Sequence, residues 1–329
     1  MPNRFLDLTS GVAMVVSDLH GDRDAFDRCL TEFSALYWRG DAQRLILLGD
    51  LIHSYDDSIE DASVQMVLDL IALQRQLSTD TVIMLLGNHE MPHIYGVSLS
   101  KGEVDFSPRF EHALGQHRNQ ILSFFESLPF YVRTAAGVTL SHAGPSLETI
   151  QRINLLRGFD HQAILQEADL ILTHADDIES FYQQYEAIYG ASYDEIAYHY
   201  LGIEGPDDPR YSHLLRAFLI SRQSQEFEAL WEALFTQNDY GLSKMVYQNG
   251  CQHFLAAISE DAPAEQQVIV SGHIAPRKNG YQVVNSSHLR IASAAHARPR
   301  ESGVYLLLDC AQPVETADDL VDGLRYLFV

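Results

Sequence analysis

Five short polar segments hold residue types that bind metal ions at reactive sites, and each follows a short apolar run. The segments read SDLHGD at 17–22, GDLIH at 49–53, GNHE at 87–90, SHAG at 141–144 and SGH at 271–273. Their candidate ligands are Asp18, His20, Asp50, Asn88, His142 and His273. Oxygen and imidazole donors without a thiolate suit manganese, iron or zinc better than they suit a structural zinc site.

Asp50 stands between the two halves of this ligand set and could therefore bridge two cations. Two metal ions roughly 3.5–4 Å apart form a general clamp for in-line displacement at phosphorus. They would acidify a bridging water to hydroxide and neutralise the charge that develops on the phosphoryl oxygens. Glycines beside the ligands, such as Gly49 and Gly272, permit tight turns and a close approach of the backbone. The combination predicts hydrolysis of a phosphate ester.

Each segment taken alone carries little information. A single Asp or Asn before a turn is often only a turn former, and a histidine there can simply bond to backbone carbonyls. The prediction depends on all five segments occurring in this order, each at the end of an apolar run.

The apolar runs that precede the segments are typical of strands buried on both faces. They cover residues 11–16, 45–48, 81–86, 138–140 and 268–270. Apolar residues at helical spacing in 26–37 and in 66–77 separate the first three runs. This order predicts a parallel βαβαβ unit with right-handed crossovers. Ligands of open α/β sheets bind beyond the carboxyl ends of the strands, so we expect the polar segments to meet there.

The rest of the chain predicts further elements around this unit. Residues 130–133 and 138–140 indicate a hairpin, 281–284 and 289–292 a second strand pair, and 304–308 a last strand. From residue 147 to about residue 235, apolar residues recur at intervals of three and four positions, which predicts helices. We expect one α/β domain over 1–329, with a helical insert or cap at about 147–236. The docking of 311–329 is not predicted.

Composition limits the classes of partner. The chain has 329 residues, with 22 Lys and Arg against 45 Asp and Glu, and a formal net charge of −23. This charge repels phosphate backbones and anionic membrane surfaces, so we expect neither nucleic acid nor membrane as a partner. Three widely spaced cysteines in apolar stretches indicate buried thiols in a reducing compartment. The first residues, MPNRFLDLTS, do not resemble a signal peptide, and we expect a cytoplasmic protein.

The polar segments resemble those of the calcineurin-like metallophosphoesterases, most closely the protein serine/threonine phosphatase branch. They also resemble the symmetrical dinucleoside-tetraphosphate hydrolases. The resemblance covers nearly the whole chain. Residues 237–255 (QNDYGLSKMVYQNGCQHFL) are similar to the END-R-G segment of the branch and its following helix. Residues 279–309, with NGYQVV, LRIASAAHA and SGVYLLLD, are similar to its GY, FSAPNY and GA segments.

The resemblance implies a sandwich of two mixed β-sheets flanked by helices around a dinuclear centre. Asp18, His20 and Asp50 would hold the first metal ion. The second would be held by Asp50, Asn88, His142 and His273. Asp50 and His89 would be the catalytic residues, with His89 protonating the leaving oxygen.

Three positions depart from the pattern of the family. His53 replaces an Asp that orients the catalytic histidine, and Ser54 and Tyr240 replace two arginines that grip the substrate phosphate. Bidentate arginines are the usual means of positioning phosphate. We expect His53, Asn88, Tyr240 and Arg277 to line the substrate site. The substitutes for the arginines stay open among Arg277, Lys278, Lys244 and Arg157.

The expected function is hydrolysis of a phosphate ester with two ions of manganese, iron or zinc. The substrate could be a small molecule, a nucleotide or a phosphoprotein, and the missing arginines weaken the last option. Two alternatives stay open. One is a hydrolase of nucleotide polyphosphates, and the other is a non-catalytic metal-binding pseudophosphatase that acts through a partner. His296, in the segment that resembles an active-site loop, is expected to be an ordinary loop histidine.

Overall fold

The computed structural model of the chain describes residues 3–54, 61–102, 104–175, 177–235 and 242–328. The chain divides into two compact units. The first unit comprises Met1–Asn88, Leu128–Gly158 and Ala229–Val329, and the second comprises His89–Ser127 and Phe159–Glu228. All six candidate ligands belong to the first unit. The interpretation as one domain with an insert at about 147–236 stays a prediction.

One sheet of the first unit carries the predicted βαβαβ arrangement. Its strands lie in the order β13 (Leu324–Tyr326), β12 (Val304–Asp309), β2 (Val12–Val16), β3 (Arg44–Leu47) and β4 (Val82–Met84). The strands β2, β3 and β4 are parallel, whereas β12 is antiparallel to both β2 and β13. The predicted parallel pairing is therefore confirmed, within a mixed sheet.

A second, six-stranded sheet completes the first unit. Its strands lie in the order β1 (Phe5–Leu8), β7 (Tyr131–Thr134), β8 (Val138–Ser141), β9 (Val268–Ser271), β11 (His288–Ile291) and β10 (Tyr281–Asn285). The pairs β7–β8 and β10–β11 are antiparallel, which confirms both predicted strand pairs. The β8–β9 and β9–β11 pairs are parallel. The α/β class with two mixed sheets is thus confirmed.

The core of the first unit is formed by alternating residues from both sheets. Val15 and Ile46 from one sheet share a buried cluster with Leu140 and Val270 from the other. Strand residues alternate between the two faces, so every second apolar side chain of each strand reaches this core. Burying such a side chain contributes about 1.5–3 kcal/mol. The two sheets therefore fix the ends of their strands, where the polar segments begin.

Helices surround the sheets of the first unit. They are α1 (Arg23–Arg39), α2 (Ser63–Gln76), α6 (Leu147–Gln151), α7 (Ile153–Arg157) and α13 (Lys244–Ile258). Helix α2 packs on β4, and α13 packs on β9. Helix α1 begins directly after the first polar segment, because the Asp22 carboxylate accepts a hydrogen bond from the Ala25 N–H at 3.0 Å.

The second unit is mostly helical. Its elements are α3 (Met91–Tyr95), β5 (Ser100–Lys101), β6 (Val104–Asp105), α4 (Phe106–Leu114), α5 (Arg118–Ser127), α8 (His161–Thr173), α9 (Ile178–Tyr189), α10 (Tyr193–Leu201) and α11 (His213–Gln223). Helix α12 (Gln225–Phe235) begins in this unit and ends in the first. Tyr185, Tyr193 and Leu215 lie in the hydrophobic core of the second unit. Among the residues described, no helix is long and apolar enough to cross a membrane.

Two features of the fold were not predicted from the sequence. The first is the division of the polar segments between the sheets: the resemblance implied two sheets, but no pattern indicated that β8 and β9 pair in the six-stranded one. The tail forms a 3-10 helix at Ala317–Gly323, and β13 then adds an edge strand to β12.

Candidate metal centre

Each candidate ligand lies just beyond the carboxyl end of a strand. Asp18 and His20 follow β2, Asp50 follows β3, and Asn88 follows β4. From the other sheet, His142 follows β8 and His273 follows β9. We call the six side chains Asp18, His20, Asp50, Asn88, His142 and His273 the ligand cluster. All but the partly exposed His273 are buried.

The turns that carry these ligands are strained. The φ angles of His20, Asp50 and His273 are 45°, 52° and 65°, and that of His53 is 71°. Such left-handed conformations cost a residue other than glycine about 1–3 kcal/mol each, and they persist where the surroundings hold them. Here the Asp50 carbonyl accepts hydrogen bonds from the N–H groups of Leu19 and His20, at 3.0 and 2.9 Å. The backbone of the two turns is thereby locked together.

Two glycines allow the ligand turns to approach one another. A Cβ on Gly49 would lie 2.7 Å from the Gly87 Cα, and its φ of 98° also disfavours other residues. A Cβ on Gly272 would lie 2.0 Å from Asp18 Oδ2. The close approach that was predicted for glycines beside the ligands is present at both positions.

Asp50 lies between two imidazoles, as a bridging ligand would. Its Oδ2 is 3.6 Å from His20 Nε2, and its Oδ1 is 3.6 Å from His142 Nε2. Both distances exceed the usual range of a hydrogen bond, about 2.7–3.2 Å. Each carboxylate oxygen therefore faces a different imidazole nitrogen across a gap.

Backbone carbonyls set the tautomers of two of these histidines. His20 Nδ1 lies 3.1 Å from the Ile52 carbonyl oxygen, and His142 Nδ1 lies 2.8 Å from that of Leu48. Since a carbonyl only accepts, Nδ1 is the protonated nitrogen in both neutral rings. The Nε2 lone pairs then point into the cluster. This is the arrangement by which proteins orient histidine ligands of metals.

Asn88 directs its amide oxygen at two imidazole nitrogens. Its Oδ1 lies 2.9 Å from His142 Nε2 and 3.0 Å from His273 Nδ1. With the amide turned round, its nitrogen would instead donate to both rings and to Asp50 Oδ2 at 2.9 Å. The bare lone pair on His142 Nε2 opposes an inward oxygen unless a cation lies between them. Without a cation the turned amide is the favoured orientation, and Asn88 would present its oxygen inward only to a bound ion.

Asp18 is a fully buried carboxylate. Both of its oxygens accept the His273 backbone N–H, at 3.0 Å each. Burial and the nearby charge of Asp50 raise the pKa of Asp18 to about 7, against the opposing effects of His142 and the hydrogen bonds. Two buried carboxylates in one site are costly when both are ionised, and bound cations would offset that cost.

The ligand cluster fits a pair of cations. Nitrogen and oxygen atoms of Asp50, His142 and His273 lie within 4.8 Å of one another. The same holds for one donor atom each of Asp18, His20 and His296. Bonds of about 2.0–2.2 Å from imidazole and carboxylate to zinc can span such groups. Two donor groups joined by Asp50 are consistent with a dinuclear site.

His296 lies at this site, where sequence analysis expected an ordinary loop histidine. Its Nε2 is 3.6 Å from Asp18 Oδ1, and its ring meets that of His20 edge-on with 5.3 Å between centroids. The signal that could have found it was its place in the segment resembling an active-site loop. Its neighbours Ala294, Ala295 and Ala297 gave no indication of where that loop would fold.

The remaining predicted site residues are not members of the ligand cluster. His53 is buried, and its N–H donates to Ser63 Oγ at 2.8 Å. Arg277 is exposed, and within the described ranges it contacts none of the ligand cluster; its N–H donates to Gln282 Oε1 at 3.2 Å. Tyr240 lies outside the described residues. His89 begins the second unit directly after Asn88, and its buried ring packs edge-on against Phe106.

Comparison with known proteins agrees with this geometry. The sequence profile described as calcineurin-like phosphoesterase matches residues 12–207. A search of curated proteins found no match. Among solved structures, the chain is similar to a protein serine/threonine phosphatase from Saccharomyces cerevisiae with similarity to human phosphatase PP5. That match has 14% identity and a TM-score of 0.51, and it covers 99% of this chain and 83% of the yeast chain. At this identity it shows the shared fold.

Two further solved structures match less well. A metallophosphoesterase from Sphaerobacter thermophilus is 14% identical, with a TM-score of 0.34, and the match covers 94% of this chain and 91% of the other. Yfce, a phosphoesterase from E. coli, is 20% identical, with a TM-score of 0.23, and the match covers 40% of this chain and 57% of the other.

Proposed function

Since the chain belongs to the calcineurin-like phosphoesterase family, we propose that it hydrolyses phosphate esters with two metal ions bound by the ligand cluster. Asp18, His20 and Asp50 hold the first ion. Asn88, His142 and His273 hold the second, which shares Asp50. The observation that carries this proposal is the position of Asp50, whose two carboxylate oxygens each lie 3.6 Å from a different imidazole.

The chemistry of the proposal combines the ions with the residues that orient them. When bound, two such cations lower the pKa of water and stabilise charge on the phosphoryl oxygens. The carbonyls of Ile52 and Leu48 keep His20 and His142 in the tautomer that binds. In the proposed mechanism, His89 donates a proton to the leaving oxygen. Asn88 has two roles in the proposal: it binds the second metal ion, and it contacts the substrate phosphate.

The replacement of two phosphate-binding arginines by Ser54 and Tyr240 limits the class of substrate. Ser54, at the position of one arginine, is buried. Arg277 is exposed and makes no contact with the ligand cluster among the described residues. Small phosphate esters or nucleotide polyphosphates therefore fit better than phosphoproteins held by an arginine pair. The same replacements favour a second candidate, a metal-binding pseudophosphatase that acts through a partner.

One experiment separates the two candidates. The purified protein is analysed for manganese, iron and zinc, and its hydrolysis of p-nitrophenyl phosphate and bis(p-nitrophenyl) phosphate is measured with added Mn²⁺. Asp50→Asn is compared with Asp80→Asn, an exposed aspartate that makes no hydrogen bond among the described residues. The enzyme is supported if Asp50→Asn alone abolishes turnover. Bound metal without turnover that depends on Asp50 would support the pseudophosphatase.

The location of the protein stays a prediction. Cys29, Cys251 and Cys310 are buried free thiols, which is compatible with a reducing compartment such as the cytoplasm. The proposed partner is a phosphorylated substrate.

A further inference from the structure

We propose that His296 is an additional ligand of the first metal ion, which gives that site a second imidazole. The inference rests on the proposed function, because it requires the dinuclear centre. It adds a residue from the loop after β11 to ligands that come from the ends of β2 and β3. Two observations carry it: the distance from His296 to the buried carboxylate, and the hydrogen bonds that hold its loop.

The first observation is a repeated distance. His296 Nε2 is 3.6 Å from Asp18 Oδ1. The proposed ligands His20 and His142 lie at the same distance, 3.6 Å, from the oxygens of Asp50. At that separation a nitrogen and an oxygen are too far apart for a good hydrogen bond. They are well placed to share an ion, since each bond to it would be about 2.0–2.2 Å.

The orientation of the ring agrees with this role. The His296 side chain is only 15% exposed. Its ring meets the His20 ring edge-on, at an interplanar angle of 78°. One donor atom from each of Asp18, His20 and His296 falls within 4.8 Å of the other two. The three donors are therefore near enough to one another to share an ion, and the two rings are not stacked.

The second observation is that the loop of His296 is bound to the segment of Asp18. The Ala295 N–H donates to the Asp18 carbonyl at 3.2 Å. Ser17 and Ser293 exchange hydrogen bonds: the Ser17 N–H donates to Ser293 Oγ at 2.9 Å, and the Ser293 N–H donates to Ser17 Oγ at 3.2 Å. The segment that carries Asp18 and the loop that carries His296 are therefore joined by hydrogen bonds.

The loop is also braced beyond the histidine. The Ala297 N–H donates to the Ala294 carbonyl at 3.1 Å and closes a turn around His296. The Arg298 guanidinium donates through Nη1 to the carbonyls of Ala295 and Ala297, at 2.8 Å each. A turn fixed in this way holds the imidazole toward Asp18 before any ion binds.

A second imidazole would change which metals the first site prefers. Imidazole suits zinc and iron, whereas carboxylate and water suit magnesium and manganese. With His296, the first site has His20 and His296, and the second has His142 and His273. Loss of His296 should therefore weaken zinc at one site more than it weakens manganese.

Titration of the metal-free protein with Zn²⁺, Mn²⁺ and Co²⁺ tests this inference. His296→Ala removes the donor, and His296→Phe removes it while keeping a ring to pack against His20. His253→Ala is the matched control, because His253 is exposed on α13 and its side chain makes no hydrogen bond among the described residues. Thermal unfolding of each metal-free variant checks that it folds. The readouts are stoichiometry, affinity and the visible absorption of bound Co²⁺.

The wild type and His253→Ala should bind two ions with the same cobalt spectrum. Both His296 variants should lose about tenfold or more in zinc affinity at one site, with a smaller loss for Mn²⁺ and an altered cobalt spectrum. Two ions bound by the variants with wild-type affinity and spectrum would overturn the inference and leave the proposed function standing. It would also be overturned if the variants kept both ions and lost only the binding of inorganic phosphate. A wild type that binds no ion would overturn both.

Discussion

At the scale of single residues, the candidate metal centre contains buried charge. Asp18 and Asp50 are each at most 2% exposed in their side chains. Water no longer solvates them, so their ionised forms need cations or protons nearby. In the metal-free protein, a proton on Asp18 meets part of this need, which is why burial and the charge of Asp50 raise its pKa to about 7. Protons and metal ions therefore compete for the site.

The affinity for metal should fall as the pH falls. Below pH 7 the Asp18 carboxyl of the metal-free protein is protonated, and an incoming ion must displace that proton. If the ion displaces one proton, its apparent Kd should rise about tenfold for each pH unit below 7. Titration of Mn²⁺ into metal-free protein at pH 7.5 and pH 5.5 measures the effect. Equal affinity at the two pH values would contradict it.

His89 should matter more for poor leaving groups than for good ones. A histidine that donates a proton to the leaving oxygen matters most when that oxygen is a poor leaving group. We expect p-nitrophenyl phosphate to be hydrolysed faster than an alkyl phosphate. His89→Ala should slow the alkyl ester further, because a general acid contributes about 10²–10⁴-fold. Steady-state rates on both esters, with His253→Ala as control, measure this. Equal losses on the two esters would contradict the role of His89.

At the scale of elements, the site depends on sharp turns at the ends of strands. The turn after β9 passes so close to Asp18 that the glycine there has no room for a side chain. The same turn presents the His273 N–H to both Asp18 oxygens. The turn after β9 thus carries one ligand, His273, and also holds Asp18, which comes from the other sheet.

Gly272→Ala should damage the metal site directly. Its added Cβ would lie 2.0 Å from Asp18 Oδ2 and 2.8 Å from Ser17 Cβ, so Asp18 must move. We expect metal affinity to fall about tenfold or more, and the free energy of unfolding to fall by about 1–3 kcal/mol. Gly205→Ala is the control, because a Cβ there meets nothing within 4 Å. Metal titration and thermal unfolding measure both effects. Unchanged metal binding in Gly272→Ala would contradict the account.

The sequence predicted elements better than their assembly. Apolar runs and helical spacing identified β2, β3 and β4 with the helices between them, because those patterns are local. The sequence did not indicate that β8 and β9 belong to another sheet, since pairing partners far apart in the chain leave no local pattern. The edge strand β13 was missed for the same reason. The ligands were predicted because each follows its own strand, whereas His296 reaches the site through a loop held by long-range hydrogen bonds.

At the scale of the whole molecule, net charge opposes the proposed substrate. The chain carries 45 acidic and 22 basic residues, a formal charge of −23. An anionic phosphate ester is therefore repelled as it approaches, and salt screens such repulsion beyond about 8–10 Å. Cations bound by the ligand cluster would offset this repulsion only at short range.

Moderate salt should therefore speed the encounter with substrate. We expect kcat/KM for a phosphate ester to rise between 20 and 200 mM NaCl, while kcat changes little because the bound complex is already formed. Initial rates at low and at saturating substrate separate the two quantities. A flat or falling kcat/KM would point to a local basic channel that guides the substrate.

In the proposed centre, the two sheets bring six side chains together around two ions that share Asp50. Anomalous diffraction from crystals of the metal-loaded protein, recorded on both sides of the manganese, iron and zinc edges, tests it most directly. We expect two peaks roughly 3.5–4 Å apart, each beside one oxygen of Asp50. One peak should lie beside Asp18 and His20, and the other beside Asn88, His142 and His273. No peak at the cluster, or a single ion that does not contact Asp50, would contradict it.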